Sequence, residues 1–124
     1  MIGNKVGVMS YKVVFHIDWD DDQTLRMGLA NMINLLNDGD SSGSEIHMVA
    51  NGHAVRLFRK EFAEGNMHQI EELNSKGVRF CLCNNSMNKF NYKKQDMLDA
   101  CEIVPAGVAE LCKLQASGCA YIKP

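Results

Sequence analysis

Cys81 and Cys83 lie one residue apart in "FCLCNNS", Phe80 to Ser86, where an apolar run turns abruptly polar. Such thiols suit three chemistries: core packing, metal ligation, or one activated sulfur at the mouth of a site. Zinc fits the cysteine spacing poorly. Structural sites favour pairs with about two to four intervening residues, and no second pair follows this one. Cys101, Cys112 and Cys119 are scattered through separate segments. A disulfide between Cys81 and Cys83 is disfavoured too. Residues two apart on an extended strand are roughly 6.6–6.8 Å apart at their α-carbons, the upper limit of bridge geometry. Position separates the two thiols. Cys81 falls inside the run and reads as a small core residue, as do Cys101, Cys112 and Cys119. Cys83 falls at its end, where the next amides are free to face the sulfur and stabilise a thiolate. Cys83 is the candidate nucleophile, and Asn85 or Ser86 is expected to cap a helix that starts there.

The other reactive side chains read more quietly. His16, on an otherwise apolar strand, is expected to be a hydrogen-bonded, half-buried histidine, with a base as the alternative. His47 and His68 read as structural or exposed, and His53 as an exposed loop residue near the site. Asp20, Asp21 and Asp22 lack an EF-hand spacing, so they read as solvated charge, with Asp22 the helix cap. No metal and no cofactor are implied.

These side chains need a scaffold. Tyr11 to Ile17, "YKVVFHI", reads as a strand, and Leu25, Leu29, Met32, Ile33 and Leu36 give a helical stripe to about Asn37. "NDGDSSGS" is a loop, and Glu45 to Ala50 a second strand. Val55, Phe58 and Phe62 predict a short helix closed by Glu64-Gly65. A further helix over Met67 to Lys76 has Asn66 as cap and Gly77 as stop. "VRFCLC" is the third strand. A polar helix or loop (Asn85 to Asn91) and a helical turn (Lys94 to Leu98) follow it. "CEIV" (Cys101 to Val104) is the fourth strand, a helix carries Val108, Leu111 and Cys112, and "CAYIK" is the last strand. This alternation predicts an α/β fold: a three-layer α/β/α sandwich on a mainly parallel five-stranded sheet, one domain over 1–124. Ligands then bind beyond the carboxyl ends of the strands. His16 to Asp18, Asn51 to His53, Cys83 to Ser86 and Pro105 to Gly107 gather there.

The chain has 124 residues, a formal net charge of −2 and no low-complexity segment. That charge gives no general attraction for a polyanion. Lys89, Lys93 and Lys94 beside Phe90 and Tyr92 read as solvated surface, so nucleic acid is not an expected partner. No apolar run approaches the ~20 residues of a membrane span. The start, "MIGNKVGVMS", is unlike a secretory signal, so a cytoplasmic location is expected, with residues 1–10 a loose extension. Five cysteines in such a chain do not imply a disulfide framework.

"KVVFHID", "NLLND", "EIHMVANG", "GVRFCLCNNSM" and "VPAGVAELCKLQASGCAYIKP" together resemble the DsrE/DsrF-like proteins, from about Tyr11 to Pro124. The resemblance implies a three-layer α/β/α domain assembled as a trimer or hexamer. In sulfur-relay members a strand-end cysteine carries sulfur as a persulfide, and Cys83 is the matching position. Cys81 is an extra thiol, and His53-Ala54 stands where the family commonly has a proline or glycine pair.

Two functions compete. In the first, Cys83 accepts sulfane sulfur from a donor protein and passes it on. His16, Asn51, Gly52, Asn84, Asn85 and Ser86 then line the substrate side, which requires one exposed, low-pKa thiol. In the second, the same pocket is a non-catalytic ligand-binding module of a homo-oligomer, with Met87 and other methionines supplying interface or core. A dinucleotide site is disfavoured, because no Gly-x-Gly-x-x-Gly follows the first strand and "DWDDD" would repel phosphate.

Overall fold

The computed structural model describes residues 10–38 and 43–124. All but the last residue of the expected N-terminal extension, and residues 39–42 of the "NDGDSSGS" loop, lie outside them. Five strands form one all-parallel sheet: β1 (Lys12–Ile17), β2 (Glu45–Ala50), β3 (Arg79–Cys83), β4 (Cys101–Val104) and β5 (Ala120–Ile122). The helices are α1 (Asp22–Asp38), α2 (Glu64–Ser75), α3 (Asn84–Lys89) and α4 (Gly107–Ala116). Short 3-10 segments occupy Gly52–Phe58 and Lys94–Asp96.

The sheet order is β4-β3-β2-β1-β5. Crossovers between parallel strands are right-handed, so direction of travel decides which face a helix covers. The steps β1 to β2, β2 to β3 and β3 to β4 run one way; the last step, β4 to β5, runs back. Hence α1, α2 and α3 share one face and α4 covers the other. The core divides accordingly. Phe15, Ile17, Met48, Phe80 and Leu82 pack with Leu25, Leu29 and Met32 of α1, Ile70 and Leu73 of α2, and Met87 of α3. On the second face Val14, Val49, Cys81 and Val104 meet Leu111 and Leu114 of α4, with Cys119. Strands β1 and β2 are buried over five of their six residues, as strands covered on both faces must be.

Several local expectations change. Asp21, not Asp22, caps α1: its carboxylate accepts from Gln23 N at 3.0 Å and from Thr24 Oγ1 at 3.0 Å. Asp22 is the first helical residue and pairs with Arg26 at 2.7 Å. Glu64 and Gly65 open α2 instead of closing its predecessor. Asn66 is thus an interior residue, 5% exposed, donating through Nδ2 to Asp22 Oδ1 at 2.8 Å. A side-chain amide buried at a helix–helix contact looks in sequence like a cap. Cys112 is exposed, not core, because α4 turns Leu111 and Leu114 inward and leaves the position between them facing out. Met87 is 2% exposed and fills the core. Gly77, with φ +98, ends α2 as expected. No helix among the described residues is long and apolar enough to cross a membrane.

Candidate functional site

A parallel sheet opens a crevice beyond its carboxyl edge, where neighbouring strands send their connections to opposite faces. Here those strands are β3, leading to α3, and β4, leading to α4. Cys83 ends β3 opposite Val104 of β4, so the candidate sulfur stands at that switch. The expected cap at Asn85 or Ser86 is Cys83 itself: α3 starts at Asn84, and the Cys83 Sγ accepts from Ser86 N at 3.4 Å. Gly107, the first residue of α4, presses against the same cysteine from the other side. A β-carbon there would lie 3.0 Å from Asn51 Cβ, 3.2 Å from Cys83 Cβ and 3.4 Å from Val49 Cγ1. Only a residue without a side chain lets α4 begin this close.

Burial pushes the Cys83 thiol up, but the Ser86 hydroxyl and the amides of Gly107, Ser86 and Asn85 outweigh it. The net result is a pKa below the ordinary thiol value. Cys81, two residues earlier, lies under α4 away from these donors, and burial drives its thiol up to about 12. Cys101 is likewise pushed up to about 12 by burial. Of these three strand thiols, only Cys83 gains a stabilised thiolate.

The exposed thiol that a carrier requires is corrected in one respect. Cys83 is 5% exposed, because the start of α4 settles over it. The sulfur faces backbone donors in a closed crevice.

The remaining candidates gather unevenly. Asn51 follows β2 and touches the Gly107–Cys83 contact through its Cβ. Gly52, at φ +60, donates its N–H to Ser86 Oγ at 2.7 Å. That bond ties the end of β2 to α3. It also occupies a lone pair of the hydroxyl, so the Ser86 proton is free for Cys83. A side chain at Gly52 would be strained twice, by the positive φ and by Asp18 O at 3.1 Å. Asn84 is half-buried and Asn85 exposed on the first turn of α3; the amide of Asn85 is its link to the sulfur.

His16 is 9% exposed and is held at both ring nitrogens, Nε2 to Asn51 Oδ1 at 2.7 Å and Nδ1 to the Tyr121 hydroxyl at 2.5 Å. The amide oxygen only accepts, so Nε2 carries the proton donated to Asn51, and Nδ1 pairs with the Tyr121 hydroxyl. His16 therefore positions Asn51. In sequence Tyr121 belongs to the closing segment that carries the resemblance and is not a site candidate; alternation in "CAYIK" places it on the α4 face, but only the β1–β5 pairing brings it to His16. His53 is exposed, its ring centroid 5.0 Å from Trp19 and 4.9 Å from Phe90. His68 is exposed on α2. A cavity of about 450 Å³ lies apart from Cys83, lined by Asp20, Asp22, Arg26, Arg56, Phe62 and Asn66 among others. Its guanidinium groups are already matched, Arg26 to Asp22 and Arg56 to Asp20 at 2.9 Å.

The family model described as DsrE/DsrF-like matches residues 11–124. The chain belongs to the DsrE/DsrF-like family. It is 33% identical to a protein of unknown function, MTH1491, from Methanobacterium thermoautotrophicum, with a TM-score of 0.84 over 93% of this chain and 100% of that one. The ychN protein of E. coli shares the fold at 18% identity, with a TM-score of 0.76 over 92% and 99% of the two chains. No curated protein matches. The DsrE/DsrF-like family is linked in general to sulfur relay, chemistry that runs through thiols.

Proposed function

We propose that this DsrE/DsrF-like protein is a sulfur carrier that holds sulfane sulfur on Cys83. The observation carrying the reading is the donor set around one sulfur: the Ser86 amide at 3.4 Å, with the Ser86 hydroxyl and the amides of Asn85 and Gly107 favouring the thiolate. The Cys83 thiolate attacks the outer sulfur of a donor persulfide. A new S–S bond forms at Cys83, the donor's S–S bond breaks, and its electron pair leaves with the donor sulfur, which takes up a proton. No external oxidant is consumed. The same amides then hold the persulfide anion, and an acceptor thiolate removes its outer sulfur by the reverse exchange. His16 and Tyr121 hold Asn51 at the wall of the crevice. Because Cys83 is 5% exposed, the start of α4 must yield for a donor to reach it.

That burial favours a second reading, a ligand-binding module in which Cys83 only packs. Either reading fits a homo-oligomer, since Val108, Tyr121 and Ile122 expose apolar surface on α4 and β5 at 61%, 42% and 37%. Incubation with a persulfide donor followed by mass spectrometry separates the two. A gain of about 32 daltons, one sulfur, on wild type and none on Cys83→Ser supports the carrier. No adduct, or one unchanged by Cys83→Ser, supports the binding module.

A further inference from the structure

At the opposite end of the sheet from Cys83, Glu45 and His47 of β2 meet Cys119, the residue before β5. Their ligand atoms lie within 4.8 Å of one another, with Glu45 Oε2 2.8 Å from His47 Nε2 and 3.8 Å from Cys119 Sγ. We propose that this trio binds a divalent transition-metal ion of the zinc class through Glu45 Oε2, His47 Nε2 and Cys119 Sγ.

The donor types select the ion. Calcium and magnesium take oxygen ligands, whereas a thiolate with an imidazole and a carboxylate suits zinc and its neighbours. Tetrahedral zinc, with bonds of about 2.0–2.3 Å, needs ligand atoms roughly 3.3–3.6 Å apart. The observed separations bracket that range, so small side-chain rotations close the site. The sequence hides the group, because its members come from positions 45, 47 and 119 and are brought together by the sheet.

The surroundings are built, not incidental. His47 is 2% exposed and Cys119 6% exposed. Gly118, at φ +107, turns the chain out of α4, and Cys119 N donates to Leu114 O at 3.0 Å, fixing the thiol beneath the helix. Arg79 Nη1 approaches His47 Nδ1 at 3.3 Å and sets the ring orientation. Glu45, on the rim, leaves an approach from solvent and a fourth position for water. The carboxylate and a Cys119 thiolate neutralise the ion between them.

Two cations compete with it. Lys12 Nζ is 4.0 Å from Glu45 Oε1 and donates to Ser117 O at 2.5 Å, an anchor it can keep while releasing the carboxylate. Ligation through Nε2 moves the His47 proton to Nδ1, which then no longer accepts from Arg79 Nη1. Arg79 can give way, since Glu102 holds its Nε at 2.9 Å and Nη2 at 2.6 Å, and Glu110 Oε2 lies 3.9 Å from Nη1. The Cys119 thiol proton passes to solvent as the metal–sulfur bond forms.

Cobalt(II) titrated into the reduced full chain is the test. One equivalent should bind per chain, with a thiolate-to-cobalt charge-transfer band and the intense visible bands of tetrahedral cobalt, displaced by zinc but not by magnesium. Cys119→Ser, a near-isosteric change, should remove the charge-transfer band and weaken binding at least about a hundredfold, since even outer-shell changes cost 10–100-fold. His47→Gln should weaken it comparably, while Cys112→Ser and Cys83→Ser keep the band. No charge-transfer band with wild type, or a band that survives Cys119→Ser, overturns the proposal. The site is independent of Cys83, so neither result bears on sulfur transfer.

Discussion

One hydroxyl group organises the surroundings of the Cys83 sulfur. Ser86 Oγ accepts from Gly52 N and directs its own proton to Cys83, so removing it acts on both neighbours. Ser86→Ala should raise the Cys83 pKa toward the ordinary thiol value and slow alkylation several-fold at neutral pH, read from the pH profile of iodoacetamide labelling. It should also lower stability by about 1 kcal/mol, because the Gly52 N–H loses its partner. The sign of the pH dependence follows from the direction of the shift. A thiol whose pKa is depressed by folding stabilises the native state above its ordinary value, and that contribution is lost as pH falls through the native value. Cys81 and Cys101, pushed up to about 12, behave oppositely: they favour the native state below the ordinary thiol range and cease to as pH rises through about 12. Peptide mapping of partly labelled native protein should find Cys83 and the exposed Cys112 modified, and Cys81 and Cys101 modified only on unfolding.

At the scale of elements, α4 both encloses the sulfur and covers the second face of the sheet. Gly107→Ala places a methyl 3.0 Å from Asn51 Cβ and 3.2 Å from Cys83 Cβ. Overpacking of this kind costs about 1–3 kcal/mol, against a gain of up to about 1 kcal/mol from better helix propensity. The net loss should appear as a lower urea midpoint. The thiol pKa should rise with it, as the Gly107 amide is pushed from Cys83. Leu111→Ala removes packing against Val14, Val49 and Cys81 without touching the start of the helix. It should cost about 2–4 kcal/mol and leave the thiol pKa nearly unchanged in the folded protein. Together the two variants separate α4 as a lid from α4 as a wall.

Over the whole molecule, the reversal in strand order brings the two proposed sites to opposite ends of the α4 face. His16, Asn51 and Cys83 stand towards the carboxyl edge with Val104, Glu45, His47 and Cys119 stand at the amino edge, and apolar Val14, Val49 and Cys81 lie among them on the same face. The same reversal leaves β5 on the sheet edge with all three of its residues exposed. An exposed edge strand, and Val108 exposed on α4, are the apolar surface that the proposed homo-oligomer would cover. Sedimentation at several concentrations should find a trimer or hexamer, and Val108→Glu with Ile122→Lys should shift it to smaller species.

What could be read along the chain was what depends on neighbours in sequence. Alternating β-branched segments, the helical stripe of α1 and the glycine stop at Gly77 follow from local period and backbone preference, and they were enough for the strand order of types and the parallel sheet. The polar turn after Cys83 marked the candidate sulfur for the same reason, since its amides lie one to three residues away. Contacts across the sheet were invisible in the linear order. Tyr121 on His16, Gly107 on Cys83, and Cys119 beside Glu45 and His47 each join residues dozens of positions apart, and only the direction of the last crossover decides which face they share. Depth was likewise a tertiary matter: the sulfur that its place at the strand end marked for a site lies under α4, which starts with Gly107 close against it.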